Sequence, residues 1–130
     1  MSVPPTVLVI DDDPLLVELV THKLLARGYQ VQSAADGREG LERARVLRPD
    51  LIVLDQMMPL LDGRQVLQQL RADTSFSGIP VLMLTARKSE SDVVDALALG
   101  AADFMPKPFS PDELAARVAR LLPNVTPVRA

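Results

Sequence analysis

The sequence predicts an α/β domain built on a parallel sheet with helices on both faces. Three short runs are apolar at every position: Val7-Leu8-Val9-Ile10, Leu51-Ile52-Val53-Leu54 and Val81-Leu82-Met83-Leu84. Strands buried on both faces read this way, whereas half-exposed strands alternate. Helical patterns fill the gaps between the runs, and strict alternation of strand and helix implies right-handed βαβ units. Polar residues of matched chemistry follow the strands, where open α/β sheets carry their sites.

The elements follow in order. After the first run, Pro14 to Arg27 carries Leu16, Leu19, Val20 and Leu24 at helical spacing, with Asp13 as N-cap, Pro14 in the first turn and Gly28 past the end. Gln30-Val31-Gln32-Ser33-Ala34 alternates partially and suits an edge strand. Arg38 to Leu47 places Leu41, Ala44 and Leu47 on one face before Pro49. Arg64 to Ala72 carries Val66, Leu67 and Leu70. Ser91 to Leu99 carries Val93, Val94, Leu97 and Ala98, and Gly100 follows as a cap. Ala102-Asp103-Phe104-Met105 ends at Pro106, which cannot donate to a ladder and so favours an edge. Ser110-Pro111-Asp112-Glu113 reads as a capping box that opens a last helix with Leu114, Val118 and Leu121. The stretch from Pro123 to Ala130 has two prolines and no period, so the expected division is a domain over 1–122 and a tail or cut linker over 123–130.

Composition narrows the function. The 130 residues are 48% hydrophobic and 24% charged, which fits one globular domain. Fourteen basic against 17 acidic residues give a net charge of −3, which argues against a dedicated nucleic-acid binder. With no cysteine and one histidine, His22, thiolate and histidine metal sites are excluded. His22 reads as an exposed helix residue. No signal peptide or membrane-length apolar run is visible, so the expected location is cytoplasmic and the expected partners include no membrane.

The residues after the strands are Asp11, Asp12 and Asp13, then Asp55, then Thr85 and Ala86, then Lys107 between two prolines. Clustered carboxylates repel unless a cation or proton relieves them. Oxygen-only ligands select a hard cation such as Mg²⁺. A lysine suits a phosphate or the carboxylate beside it, and a threonine hydroxyl can donate to a phosphate oxygen. Together these groups describe phosphoryl transfer to an aspartate.

The chain resembles the receiver domains of two-component response regulators. The resemblance rests on Val9-Ile10-Asp11-Asp12-Asp13-Pro14, Asp50 to Asp55, Met58-Pro59-Leu60-Leu61-Asp62-Gly63, Pro80 to Ala86, and Gly100 to Phe109. It implies a doubly wound five-stranded parallel sheet of order 2-1-3-4-5 with five helices, the flavodoxin-like receiver fold. By this resemblance Asp55 is the phosphoacceptor for a histidine kinase or phosphotransfer protein. Asp12 is a direct Mg²⁺ ligand, Asp11 its partner, and Met57 adds a backbone carbonyl. Lys107 contacts the phosphoryl group, and its bond to Pro108 is cis. Thr85 and Phe104 are the switch pair. Met57 and Arg87 sit at rim positions that tune dephosphorylation, and their bulk implies a shielded phosphate. The face formed by the fourth helix, fifth strand and fifth helix, which includes Arg117 and Arg120, is implied as an output or homodimer surface. The domain is then a signalling module that catalyses only its own phosphorylation and dephosphorylation.

Two positions depart from the usual pattern. Gln56 stands where an apolar residue is commoner, and Phe104 lacks the hydroxyl of the frequent tyrosine. The alternative is an aspartyl-phosphate phosphohydrolase of haloacid-dehalogenase-like type, because Asp11 and Asp13 flank one residue. That reading leaves Asp55 unexplained and the chain has no room for a cap domain. No glycine-rich nucleotide loop follows a strand.

Overall fold

The computed structural model describes residues 3–86 and 97–122. Its sheet has five parallel strands: β1 (Thr6–Ile10), β2 (Gln30–Ala34), β3 (Leu51–Asp55), β4 (Val81–Thr85) and β5 (Asp103–Pro106). They lie in the order β2-β1-β3-β4-β5, so the two strands expected at the edges are there. The register pairs Ile10 with Leu54 and Asp55 with Leu84, which brings the ends of β1, β3 and β4 to one rim.

Four α-helices lie among the described residues: α1 (Pro14–Ala26), α2 (Gly37–Leu47), α3 (Gly63–Ala72) and a C-terminal helix (Pro111–Leu121). The helix expected over Ser91 to Leu99 falls largely outside the described residues. Only its end is seen, with Leu97 and Ala98 helical. Arg87 and the stretch 123–130 are outside them as well.

Period-two alternation sends each strand's side chains to two cores. Leu8, Ile10, Ile52, Leu54 and Met83 pack with Leu41, Ala44, Val66, Leu67 and Leu70 of α2 and α3. Val7, Val9, Val53, Leu82 and Leu84 pack with Val20, Leu24, Leu114 and Val118 of α1 and the C-terminal helix. Each fully buried leucine or valine contributes roughly 1.5–3 kcal/mol of transfer free energy. The sheet is therefore pinned from both sides, and its carboxyl rim is a fixed platform.

Caps set where the helices start. Asp13 accepts from the Leu15 and Leu16 amides at 3.0 and 3.4 Å, as its place before Pro14 predicts. At the C-terminal helix only half of the expected capping box forms. The Glu113 amide donates to Ser110 Oγ at 3.1 Å, while the Glu113 carboxylate lies 3.8 Å from Arg117, one turn on. The reciprocal box is at α3, where Asp62 and Gln65 exchange two bonds of 3.0 Å. Gly28 and Gly100 have φ of 94° and 102°, the left-handed conformation that makes glycine the residue of choice past a helix end.

Candidate functional site

The end of β1 supplies Asp11, which is 2% exposed, and then Asp12, which faces solvent. The Asp11 amide donates to the Ala34 carbonyl at 3.1 Å, and one carboxylate oxygen accepts from the Asp13 amide at 2.9 Å. The side chain is thereby turned back over the rim. The end of β3 supplies Asp55, 3% exposed, whose Oδ1 accepts from the Met57 amide at 3.4 Å. Carboxylate oxygens of Asp11, Asp12 and Asp55 all lie within 4.8 Å of one another.

Lys107 arrives from the far edge. Its amide donates to the Thr85 carbonyl at 2.7 Å, which carries the β5 end over β4. The Lys107–Pro108 bond is cis, as the resemblance implies. Lys107 Nζ stands 3.2 Å from Asp11 Oδ2 and 3.2 Å from Asp55 Oδ1. One ammonium thus bridges two buried carboxylates while a third stands beside them.

The electrostatics follow from that count. Burial pushes the Asp55 carboxyl up, the Asp11 charge pushes it further, and Lys107 pulls it back, leaving it at about 6. Burial pulls the Lys107 ammonium down, but Asp55 and Asp11 outweigh burial and hold it above its usual value. Negative charge is left over at a rim that is mostly out of water. The donor set fits a small hard cation, with oxygen ligands alone, carboxylates on one side and no histidine or cysteine.

Thr85 ends β4 beside this group and is buried. Phe104 is half-buried one strand away, opposite Met83, and packs against the core shared with α2 and α3. Met57 is 54% exposed on the loop after Asp55, and Gln56 is buried there. The fold therefore brings Asp11, Asp12, Asp55, Thr85 and Lys107 to one rim, with Phe104 behind it. Asp13, the second aspartate of the phosphohydrolase alternative, is spent as the α1 cap.

Sequence reasoning named Gly63 only as the end of the Met58 to Gly63 motif, with no role, and did not name Gly37. Both are buried against the loop that leaves Asp55. Gly63 stands directly after a helix cap, a place where a glycine has no conformational reason to be, and that was the available signal.

A model of the response regulator receiver domain family matches residues 7–119. The regulatory protein PhoP of Bacillus subtilis, named for alkaline phosphatase synthesis, is 49% identical over 89% of this chain and 48% of its own length. The DNA-binding regulator RpaA of Synechocystis is 48% identical over 91% of this chain and 49% of its own. The chain thus spans about half the length of these curated relatives. It also matches 8% of hybrid signal transduction histidine kinase D of Dictyostelium discoideum, at 44% identity. Among solved structures, the chemotaxis protein CheY4 of Vibrio cholerae superposes with a TM-score of 0.87 at 35% identity, over 92% of this chain and all of that one. The receiver domain of Francisella response regulator 1452 superposes with a TM-score of 0.86 at 38% identity, over 92% and 98%. With the rim geometry, these likenesses carry one conclusion: the chain belongs to the response regulator receiver domain family and is a signalling module of two-component systems.

Proposed function

We propose that Asp55 accepts a phosphoryl group from a histidine kinase or phosphotransfer protein. The observation that carries this reading is the buried Asp55 carboxylate, bridged by Lys107 to Asp11 at 3.2 Å on each side and crowded by further negative charge. An Asp55 oxygen attacks phosphorus, the bond from phosphorus to the donor nitrogen breaks, and the imidazole leaves with its electron pair. Asp11, Asp12, Asp55 and the Met57 carbonyl would hold Mg²⁺, which supplies charge neutralisation for the transferring group. Lys107 already touches the acceptor and offsets charge on the new phosphate. Thr85 supplies a hydroxyl at the neighbouring strand end, and Phe104 follows its movement to alter the face beyond β5.

The surface beside the rim suits the proposed donor. A cavity of about 400 Å³ is lined by Leu15, Leu16, Leu19, Pro108, Phe109 and Lys107. Leu15 and Leu19 are 64% and 53% exposed, so an apolar helix face would find partners there within reach of Asp55. On the opposite flank Asp103 is held by Arg117 at 3.1 Å and Arg120 at 2.9 Å, a charged patch available for self-association or output. The proposed receiver unit is 1–122, with 123–130 as tail or linker. Bulky Met57 at the rim, with Arg87, would slow access of water to the phosphate. A dephosphorylation rate unmoved by shrinking both side chains would overturn that point.

The phosphohydrolase reading is not favoured, because its second aspartate caps α1. No helix among the described residues is long and apolar enough to cross a membrane. The test is incubation with Mg²⁺ and a small phosphodonor such as acetyl phosphate. Wild-type chain gains one phosphate and Asp55→Asn gains none. Equal incorporation by the two would remove Asp55 from the role.

A further inference from the structure

The loop over 56–62 joins β3 to α3 and carries Met57. It closes through the Gly63 amide, which donates to the Gln56 carbonyl at 3.0 Å. Neither Gly63 nor Gly37 has a positive φ; the glycines that do are Gly28 and Gly100. What Gly63 and Gly37 provide is space. A Cβ at Gly63 would stand 2.3 Å from the Asp55 carbonyl oxygen and 2.8 Å from Gln56 Cα. A Cβ at Gly37 would stand 2.4 Å from the Leu61 carbonyl oxygen and 2.8 Å from Val66 Cγ2. In both cases the nearest atom is backbone oxygen, which cannot swing aside as a side-chain tip does.

The remaining glycines give the contrast. A Cβ at Gly40 would be as crowded, 2.6 Å from Ile10 Cδ1, but the neighbour is a side chain in the core. A Cβ at Gly78 would meet nothing within 4 Å. Crowding as such is therefore separable from crowding against the loop.

We infer that Gly37 and Gly63 are positioning residues that clamp the 56–62 loop from two sides and so set the distance of the Met57 carbonyl from the aspartates of the rim. This rests on the assignment of that carbonyl and those aspartates to Mg²⁺. A methyl at either glycine must push the loop outward by about 1 Å to reach ordinary contact. Mg²⁺ demands near-ideal octahedral geometry, so a displacement of that size lowers affinity. Changes to groups that orient a ligand typically cost 10–100-fold.

The experiment measures Mg²⁺ binding by calorimetry on four variants at a temperature where each is folded. Gly63→Ala and Gly37→Ala are expected to weaken Mg²⁺ at least 10-fold, as those orienting groups do. Gly40→Ala lowers the unfolding temperature but keeps wild-type affinity, and Gly78→Ala changes neither. Wild-type affinity in both loop variants overturns the clamp, as does an equal loss in Gly40→Ala. A wild type that binds no Mg²⁺ overturns the underlying metal assignment instead, which separates the two failures. Should a loop variant not fold, hydrogen exchange on the wild type decides. The Gly63 amide is expected to exchange as slowly as the amides of β3, and exchange at the rate of an open loop sinks the inference.

Discussion

The two ends of the sheet both bury charge, and they treat it differently. At the amino end, Arg71 of α3 is half-buried, and its guanidinium donates to the carbonyls of Phe76, Ser77 and Ile79 at 3.2, 3.3 and 2.7 Å. These permanent acceptors staple the turn that leads into β4. At the carboxyl end, one ammonium bridges two of three clustered carboxylates and the Asp55 carboxyl rises to about 6. Charge matched to fixed partners is scaffolding. Negative charge left in excess against a rigid wall is relieved by a bound cation or a proton.

The comparison breaks most sharply at Asp55. Asp55→Asn should lower phosphate incorporation roughly 100-fold or more, since the nucleophile itself is lost. The same change should raise stability in the absence of divalent cation by about 1 kcal/mol, or roughly 3–5 °C, because it removes buried repulsion. Thermal unfolding in a chelator checks this. At the other end, Arg71→Met should cost about 2–4 kcal/mol, because carbonyls lose their donor in a partly buried place. Urea unfolding measures that loss, and phosphorylation of the folded variant should be unchanged. If both variants moved both readouts in the same direction, the division between scaffold and site would fail.

Cation and proton should act on the carboxyl end alone. At a hundredfold excess over its dissociation constant, Mg²⁺ should add about 2.7 kcal/mol to unfolding free energy. Asp12→Asn should lose most of that gain and Arg71→Met should keep it. The proton acts with the same sign, because it too relieves the excess negative charge. The folded-state carboxyl of Asp55 titrates at about 6, above its ordinary 3.8, so the folded chain binds the proton more tightly. Stability present at low pH is lost as pH rises from about 4 through 6. The urea midpoint without Mg²⁺ should therefore fall between pH 5 and 7.5, and the fall should shrink in Asp55→Asn.

The carboxyl end was the more legible in the sequence. Strands apolar on both faces, and aspartates, a threonine and a lysine after them, follow from local pattern and from the rule that places sites at strand ends. The Asp13 cap and the edge places of β2 and β5 were readable for the same reason. The amino end was not. Arg71 sits in a helix as an ordinary surface arginine would, and its three acceptors lie in an irregular turn five to eight residues on. The roles of Gly37 and Gly63 were equally opaque, since the backbone oxygens they make room for belong to contacts that only the packed fold creates. The Glu113 side chain of the expected capping box was misjudged because Arg117 competes for it one turn later.

The smallest effect tests the comparison on the backbone. Leu60 at the carboxyl end and Arg48 at the amino end are both non-glycine residues at positive φ, 68° and 50°. Such a conformation costs a side-chain-bearing residue roughly 1–2 kcal/mol. Arg48 recovers some of it, because its guanidinium lies 4.9 Å from the Phe76 ring centre and donates to Ser75 Oγ at 3.1 Å. Leu60 is 91% exposed and recovers little. Leu60→Gly should therefore stabilise the fold by about 0.5–1 kcal/mol, after the entropy that glycine adds to the unfolded chain. Arg48→Gly should be neutral or worse. Chemical denaturation of the two variants side by side reads the difference. A gain at Arg48 equal to that at Leu60 would mean that the arginine's contacts contribute nothing, and that the amino end is less tightly built than its hydrogen bonds indicate.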